Sequence, residues 1–184
     1  MARLPRDSLD TLHGSLRAAT RSDHTVVDRL VTRLDFGLSE DYGRFLSIHH
    51  AVLQSLKAQW RPEDRDDFAA MSTRLQDDLR VLSFPAADPE SMSPMPMSEG
   101  DSLGIAYVIR GSRLGSRVLR PRIAPRFSTF YFDFVPALPW ADFLMQLRNK
   151  SRSNSEWSNA AIRGAKMTFE MFSRLLAQVP VVAV

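Results

Sequence analysis

Residues 8–34 read SLDTLHGSLRAATRSDHTVVDRLVTRL, and their spacing decides the fold class. Apolar residues fall at Leu9, Leu12, Leu16, Ala19, Val26, Val27, Leu30, Val31 and Leu34. Steps of three and four dominate, the spacing that stacks side chains on one face of an α-helix. The stretch predicts one long amphipathic helix, with Gly14 inside it at a cost of about 1 kcal/mol relative to Ala.

The same period recurs outward along the chain. Ser39, with Glu40 and Asp41, predicts a cap and an acidic first turn for a second helix. That helix carries Tyr42, Phe45, Leu46, Ile48, His49, Val52, Leu53, Leu56 and Trp60. Pro62 favours a new start, and Phe68, Met71, Leu75, Leu79 and Leu82 face inward from a third helical region. Residues 83–100 hold Pro85, Pro89, Pro94 and Pro96 and predict a connecting loop. Asp101 is expected to cap a helix running from Leu103 to about Leu119. Pro121, Pro125, Pro136 and Pro139 punctuate the next stretch, and its aromatic run Phe127–Phe134 imitates a strand. Trp140–Arg148 reads as helix. Ser153-x-x-Glu156 reads as a capping box for a last helix with Trp157, Ala161, Ile162, Ala165, Phe169, Phe172, Leu175 and Leu176. The expected architecture is all-α: six to eight helices in a single-domain bundle over residues 1–184, its core about 9–178.

The 184 residues suffice for one domain with a real core. Hydrophobic residues make 44% and charged residues 24%, the balance of a globular chain rather than a disordered one. Lys and Arg number 24 against 21 Asp and Glu, a net charge of +3. Only Lys57, Lys150 and Lys166 are lysines, so the pI of about 9.7 reflects arginine, which does not titrate in proteins. Cysteine is absent. That excludes disulfides, thiolate nucleophiles, cysteine-held zinc, iron–sulfur clusters and thiolate-ligated haem. No secretory signal or membrane-length apolar run is visible, and aromatics are not interleaved with basic residues as in nucleic-acid binders. A soluble cytoplasmic protein is expected, without nucleic-acid or membrane partners and as a monomer.

Four histidines, His13, His24, His49 and His50, are the candidate ligands. His49 reads as a packed helix residue and His50 as its exposed neighbour. His13 stands about 16 Å from His24 by helix rise, too far to share one metal. His24 has Asp28 one turn on, Thr20 one turn back and Arg17 two turns back, all on one face. A ligating imidazole usually gives its second N–H to a carboxylate, and Asp28 is placed to take it. Arg17 stands about 10 Å further along the axis. The plain alternative is an exposed His–Asp pair beside a solvated arginine. Gly111-Ser112-Arg113-Leu114-Gly115-Ser116 is the second constellation. Glycines four apart cost about 2 kcal/mol against Ala. They serve either close helix packing or close approach of backbone to a flat ligand. A kink there would free backbone groups toward such a ligand. Arg110 and Arg113 flank the motif as a solvated face, or, with Arg21, Arg117, Arg120 and Arg122, as a basic docking surface.

Two segments carry a family resemblance. Leu16-Arg17-Ala18-Ala19-Thr20-Arg21-Ser22-Asp23-His24 resembles the proximal helix of the haem oxygenases. Tyr107-Val108-Ile109-Arg110-Gly111-Ser112-Arg113-Leu114-Gly115-Ser116 resembles the distal helix of their bacterial, biliverdin-producing branch. Leu75-Gln76-Asp77-Asp78-Leu79 and Gly164-Ala165-Lys166-Met167-Thr168-Phe169 fit in order and spacing.

The resemblance implies that His24 is the proximal iron ligand and that Asp28 replaces the family's usual glutamate behind it. It implies propionate contacts from Arg17, Tyr107 and Arg148, with Thr20 on the same face. Gly111, Ser112 and Gly115 would lie over the distal face of the haem, and Phe169 would wall the pocket. The implied reaction is oxygen-dependent opening of haem to biliverdin, carbon monoxide and ferrous iron. Haem would be cofactor and substrate together, with O2 and an external electron donor, a ferredoxin or a flavin reductase. Ser112, where animal members carry an aspartate, is a poor acid, so protons would travel through water and backbone groups. Two alternatives stand beside this reading: a catalytically silent haem-binding or sensing protein on the same fold, and a thiaminase-like helical protein or scaffold without haem.

Overall fold

The computed structural model describes residues 11–89, 97–150 and 155–178. Among them the chain forms eight α-helices and no strand. They are α1 (Leu12–Ala19), α2 (Arg21–Val31), α3 (Ser39–Ser55), α4 (Arg65–Leu82), α5 (Glu99–Leu119), α6 (Phe130–Asp133), α7 (Trp140–Lys150) and α8 (Ser155–Ala177). The expected helix start at Ser8, Pro94 and Pro96 of the loop, and Ser153 of the expected capping box lie outside the described residues. No described helix is long and apolar enough to cross a membrane.

α3 runs through the middle of the core. Tyr42, Gly43 and every residue from Phe45 to Leu53 are buried, so the helix is enclosed all round. His50 is therefore buried, not the exposed neighbour expected, because α3 presents no solvent face along this stretch. Ser39 is the first residue of α3 rather than its cap. The cap position is Leu38, and Asp41 reaches back to accept the Asp35 N–H at 2.8 Å.

The long first helix is broken at Thr20. Its φ of −108° and ψ of 6° end α1, and α2 restarts at Arg21. The buried Thr20 hydroxyl donates to the Leu16 carbonyl at 2.8 Å, the back-bonding that bends helices. Apolar spacing continues across the break, which is why periodicity alone reads one helix.

α5 begins earlier than expected. Ser98 is its cap: the Ser98 hydroxyl accepts the Asp101 N–H at 3.3 Å, and the Asp101 carboxylate accepts the Ser98 N–H at 2.9 Å. Asp101 is thus the far half of a capping box. Burial pushes its pKa up, but the Ser98 hydroxyl and N–H and the Arg163 guanidinium outweigh burial and hold it below the ordinary value.

α5 and α8 cross on glycines. A Cβ on Gly104 would sit 1.9 Å from the Ala161 carbonyl oxygen, and one on Gly164 2.1 Å from the Asp101 carbonyl oxygen. A Cβ on Gly100 would lie 2.8 Å from both the Ala160 Cβ and the Trp157 oxygen. The two helices run in the same sense here, since Gly100 meets Trp157 and Ala160 while Gly104 meets Ala161 and Ala165. Close packing by small residues is therefore the work of Gly100, Gly104 and Gly164.

The aromatic run after α5 is organised by α4 instead of by strand pairing. Asp67 and Asp78 lie three turns apart on one face of α4 and are both buried. Asp78 accepts the N–H groups of Phe130 and Tyr131 at 3.0 and 2.9 Å, and Asp67 those of Ala137 and Leu138 at 2.7 and 3.3 Å. These bonds satisfy backbone donors that a strand would have paired along an edge.

Candidate functional site

Thr20 turns the chain so that α2 carries His24 and Asp28 onto α8. His24 Nδ1 lies 2.9 Å from Asp28 Oδ2, and both side chains are 63% exposed. The shorter carboxylate therefore does reach the imidazole. Nε2 has no partner among the described residues. The ring is set from below by Phe169 of α8, edge-on with centroids 5.7 Å apart. Phe169 is itself buried, one turn beyond the α5–α8 crossing. Lys166, one turn before Phe169, approaches Asp23 at 3.8 Å.

α2 and α5 each pack on α8. On α5, the glycine pair 111/115 is of a different kind from the pair 100/104. A Cβ on Gly115 would meet nothing within 4 Å, and one on Gly111 only the Trp140 ring at an ordinary 3.7 Å. Gly115 faces open space and Gly111 the Trp140 ring, so neither sits at a helix crossing. α5 stays helical without interruption from Glu99 to Leu119. Two serine hydroxyls fold back on it: Ser112 donates to the Ile109 carbonyl at 2.7 Å and buried Ser116 to the Ser112 carbonyl at 3.2 Å. The Ser112 hydroxyl proton is thereby committed to the helix, while its oxygen can still accept.

Arg17 is exposed on α1, Arg148 exposed on α7, and Thr20 buried in the hinge. Tyr107 is half-buried, its ring 6.1 Å from His13 and 5.8 Å from Trp140. That cluster joins α1, α5 and α7 one turn before Gly111.

Arg110 is buried rather than solvated, and Arg113 is half-buried with its guanidinium engaged within the chain. The Arg110 guanidinium lies 2.7 Å from Asp64 and 2.9 Å from Asp67. Arg113 donates to the carbonyls of Phe132 and Phe134, both at 3.0 Å, and lies over the Tyr131 ring. Arg120 pairs with Asp133, and Arg122 donates to the Leu34 carbonyl. Of the expected basic surface, Arg21 and Arg117 remain exposed without a partner among the described residues. Sequence reasoning misses Asp64 and Asp67. Their signal is two acids at the start of α4 matched to a basic residue in an otherwise apolar stretch of α5.

His49 lies between the helices behind the site. Its ring contacts Phe45, Tyr131 and Phe172, and Nδ1 is 2.9 Å from the Phe45 carbonyl. Burial, aided by the Arg113 charge and opposed by the Phe45 bond, pushes its pKa down to about 4. The folded state keeps this imidazole neutral while the unfolded chain protonates near 6.5. Stability is therefore full above about pH 6.5 and falls by about 3 kcal/mol as pH drops toward 4. Burial lowers the His50 pKa too and adds in the same direction. Urea unfolding at about pH 7 and about pH 4.5 should show this loss, reduced in His49→Gln. An equal loss in the variant would remove His49 as its source.

No protein-family model matches the chain. A protein of Xanthomonas campestris named haem oxygenase is 28% identical over 158 residues, covering 76% of this chain and 90% of that protein. The solved structure of the haem oxygenase of Neisseria meningitidis, described with NO and CO bound, superposes with a TM-score of 0.75. It is 20% identical and is covered to 95%, against 94% of this chain. In sequence the chain resembles the haem oxygenase family, and its all-α fold is that of a haem oxygenase.

Proposed function

We propose that this protein binds haem through His24 and opens it, with O2 and external electrons, to biliverdin, carbon monoxide and ferrous iron. The observation that carries the reading is the His24 imidazole. Asp28 holds Nδ1 at 2.9 Å, Phe169 sets the ring, and the second nitrogen is left for a ligand. A carboxylate behind a metal-bound imidazole fixes its tautomer and raises its basicity.

Haem, the substrate, supplies the iron that activates oxygen. The chain supplies orientation and exclusion. Bare main chain at Gly111 and Gly115 lets backbone come close without a side-chain acid or base above the reacting face. Ser112 accepts but does not donate while its proton is held by Ile109, so protons arrive through water. Arg17, Tyr107 and Arg148 hold the propionate edge, with Thr20 shaping the turn between them and His24. Electrons come from a ferredoxin or a flavin reductase.

A second reading, binding without turnover, draws on the same Ser112 bond, which leaves no side-chain proton donor at that position. One measurement decides between them. Protein reconstituted with haem is given reductant and oxygen, and the product is separated by chromatography. Loss of the Soret band with recovery of biliverdin is expected. A Soret band that persists through repeated reduction would establish the silent binder.

A further inference from the structure

The charge cluster beside the distal segment is neutral, buried and asymmetrically placed. Asp64 is fully buried, and Arg61, Asp67 and Arg110 nearly so. Arg110 Nε donates to Asp64 Oδ1 at 2.8 Å, and Arg61 Nε to Asp64 Oδ2 at 2.5 Å. Arg110 Nη1 lies 2.9 Å from Asp67 Oδ2 and donates to the Leu138 carbonyl at 3.1 Å. Its guanidinium also lies over the rings of Phe68 and Phe143, 5.5 and 5.6 Å from their centroids.

Two members of the cluster, Asp67 and Arg110, hold the segment that leads into α7. Asp67 holds the N–H groups of Ala137 and Leu138 while Arg110 holds the Leu138 carbonyl. Trp140 comes two residues later, and its ring is the nearest neighbour that a Cβ on Gly111 would meet. Arg110 and Gly111 are adjacent, so one residue anchors the frame and the next is gauged against it.

We propose that Arg110 is a positioning residue: through Asp64, Asp67 and the Leu138 carbonyl it sets Trp140 against Gly111. It thereby fixes how far the Gly111–Gly115 main chain stands from bound haem. The second half rests on the haem-cleaving reading; the first does not. The planar guanidinium is suited to this because it serves two carboxylates and a carbonyl at angles fixed by one rigid fork, whereas a lysine ammonium is a compact charge on a flexible stem.

The test compares wild type, Arg110→Met and Arg110→Lys by amide hydrogen exchange of the apoprotein. Circular dichroism checks that each variant folds. Exchange at Gly111–Ser116 should quicken about ten-fold or more in Arg110→Met, with Ala161–Phe169 of α8 within about two-fold of wild type. Arg110→Lys, which keeps the charge, should quicken the same segment less, and it is the variant read if Arg110→Met does not fold. In haem-loaded protein the pH midpoint of the ferric acid–alkaline transition should also move. A folded variant with unchanged exchange at Gly111–Ser116 and an unchanged midpoint overturns the proposal. Wild type that takes up no haem would instead remove the proposed function, and the apoprotein exchange would still decide the role of Arg110 in holding the segment.

Discussion

Gly104→Ala should unfold the protein more readily than any other single methyl added to α5. The new carbon would begin 1.9 Å from the Ala161 carbonyl oxygen and 2.7 Å from the Ala165 nitrogen. Both are backbone, so no rotamer change relieves the clash, and α5 and α8 must separate. That separation loosens contacts along the most extensive helix pairing in the molecule. Overpacking of this kind costs about 3 kcal/mol or more, against a total of roughly 5–15 kcal/mol. A melting point lower by about 10 °C is the expected result for a chain of this size. Gly115→Ala supplies the opposite sign. Its Cβ meets nothing, so the gain in helix propensity should stabilise by up to about 1 kcal/mol. A Gly104→Ala melting point within a degree or two of wild type would mean that the two helices cross with room for a methyl between them.

His24→Ala should abolish specific haem ligation and leave the fold intact. The side chain is 63% exposed, and it touches Asp28 and the edge of Phe169. Stability should therefore change by no more than about 0.5 kcal/mol. Haem binding should weaken by more than the roughly 10–100-fold that removing a hydrogen-bonded partner of a ligand costs a metal site. The ferric spectrum should lose its imidazole-ligated form and regain it on addition of free imidazole. Asp28→Asn should sit between the two, retaining ligation with weaker affinity. Unchanged affinity and spectrum in His24→Ala would move the iron to another residue and withdraw the site with it.

Much of the fold is legible in the sequence because helices announce themselves by period. α3, α4, α5 and α8 all show apolar residues three and four apart. What period cannot show is where the hydrogen-bond ladder pauses, and Thr20 interrupts the first helix without disturbing its apolar register. The start of α5 is easily misplaced by one turn because Ser98 and Asp101 are both good cap residues. Only the reciprocal bonds tell which one caps. The site is legible in its local part: His24 and Asp28 are four apart on one helix, so sequence spacing alone brings them together. Arg110 is misread because charge type suggests exposure, whereas its partners Asp64 and Asp67 lie more than forty residues away in sequence. The two glycine pairs look alike in sequence. Which faces a neighbouring helix and which faces open space depends on where α8 lies, and spacing within α5 does not contain that.

The unequal anchoring of the two helices that face the site has a mechanical consequence. α5 is clamped to α8 backbone against backbone, while Val31 is the one buried residue of α2. On the proposed reading, a flat ligand and its product would meet one firmly anchored jaw and one lightly anchored jaw. On the proposed haem reading, the expected way in is a swing of the histidine-bearing arm about Thr20, drawn from the least costly local fluctuations of the chain; faster amide exchange in α2 than in α5 of the apoprotein is the result that would show it.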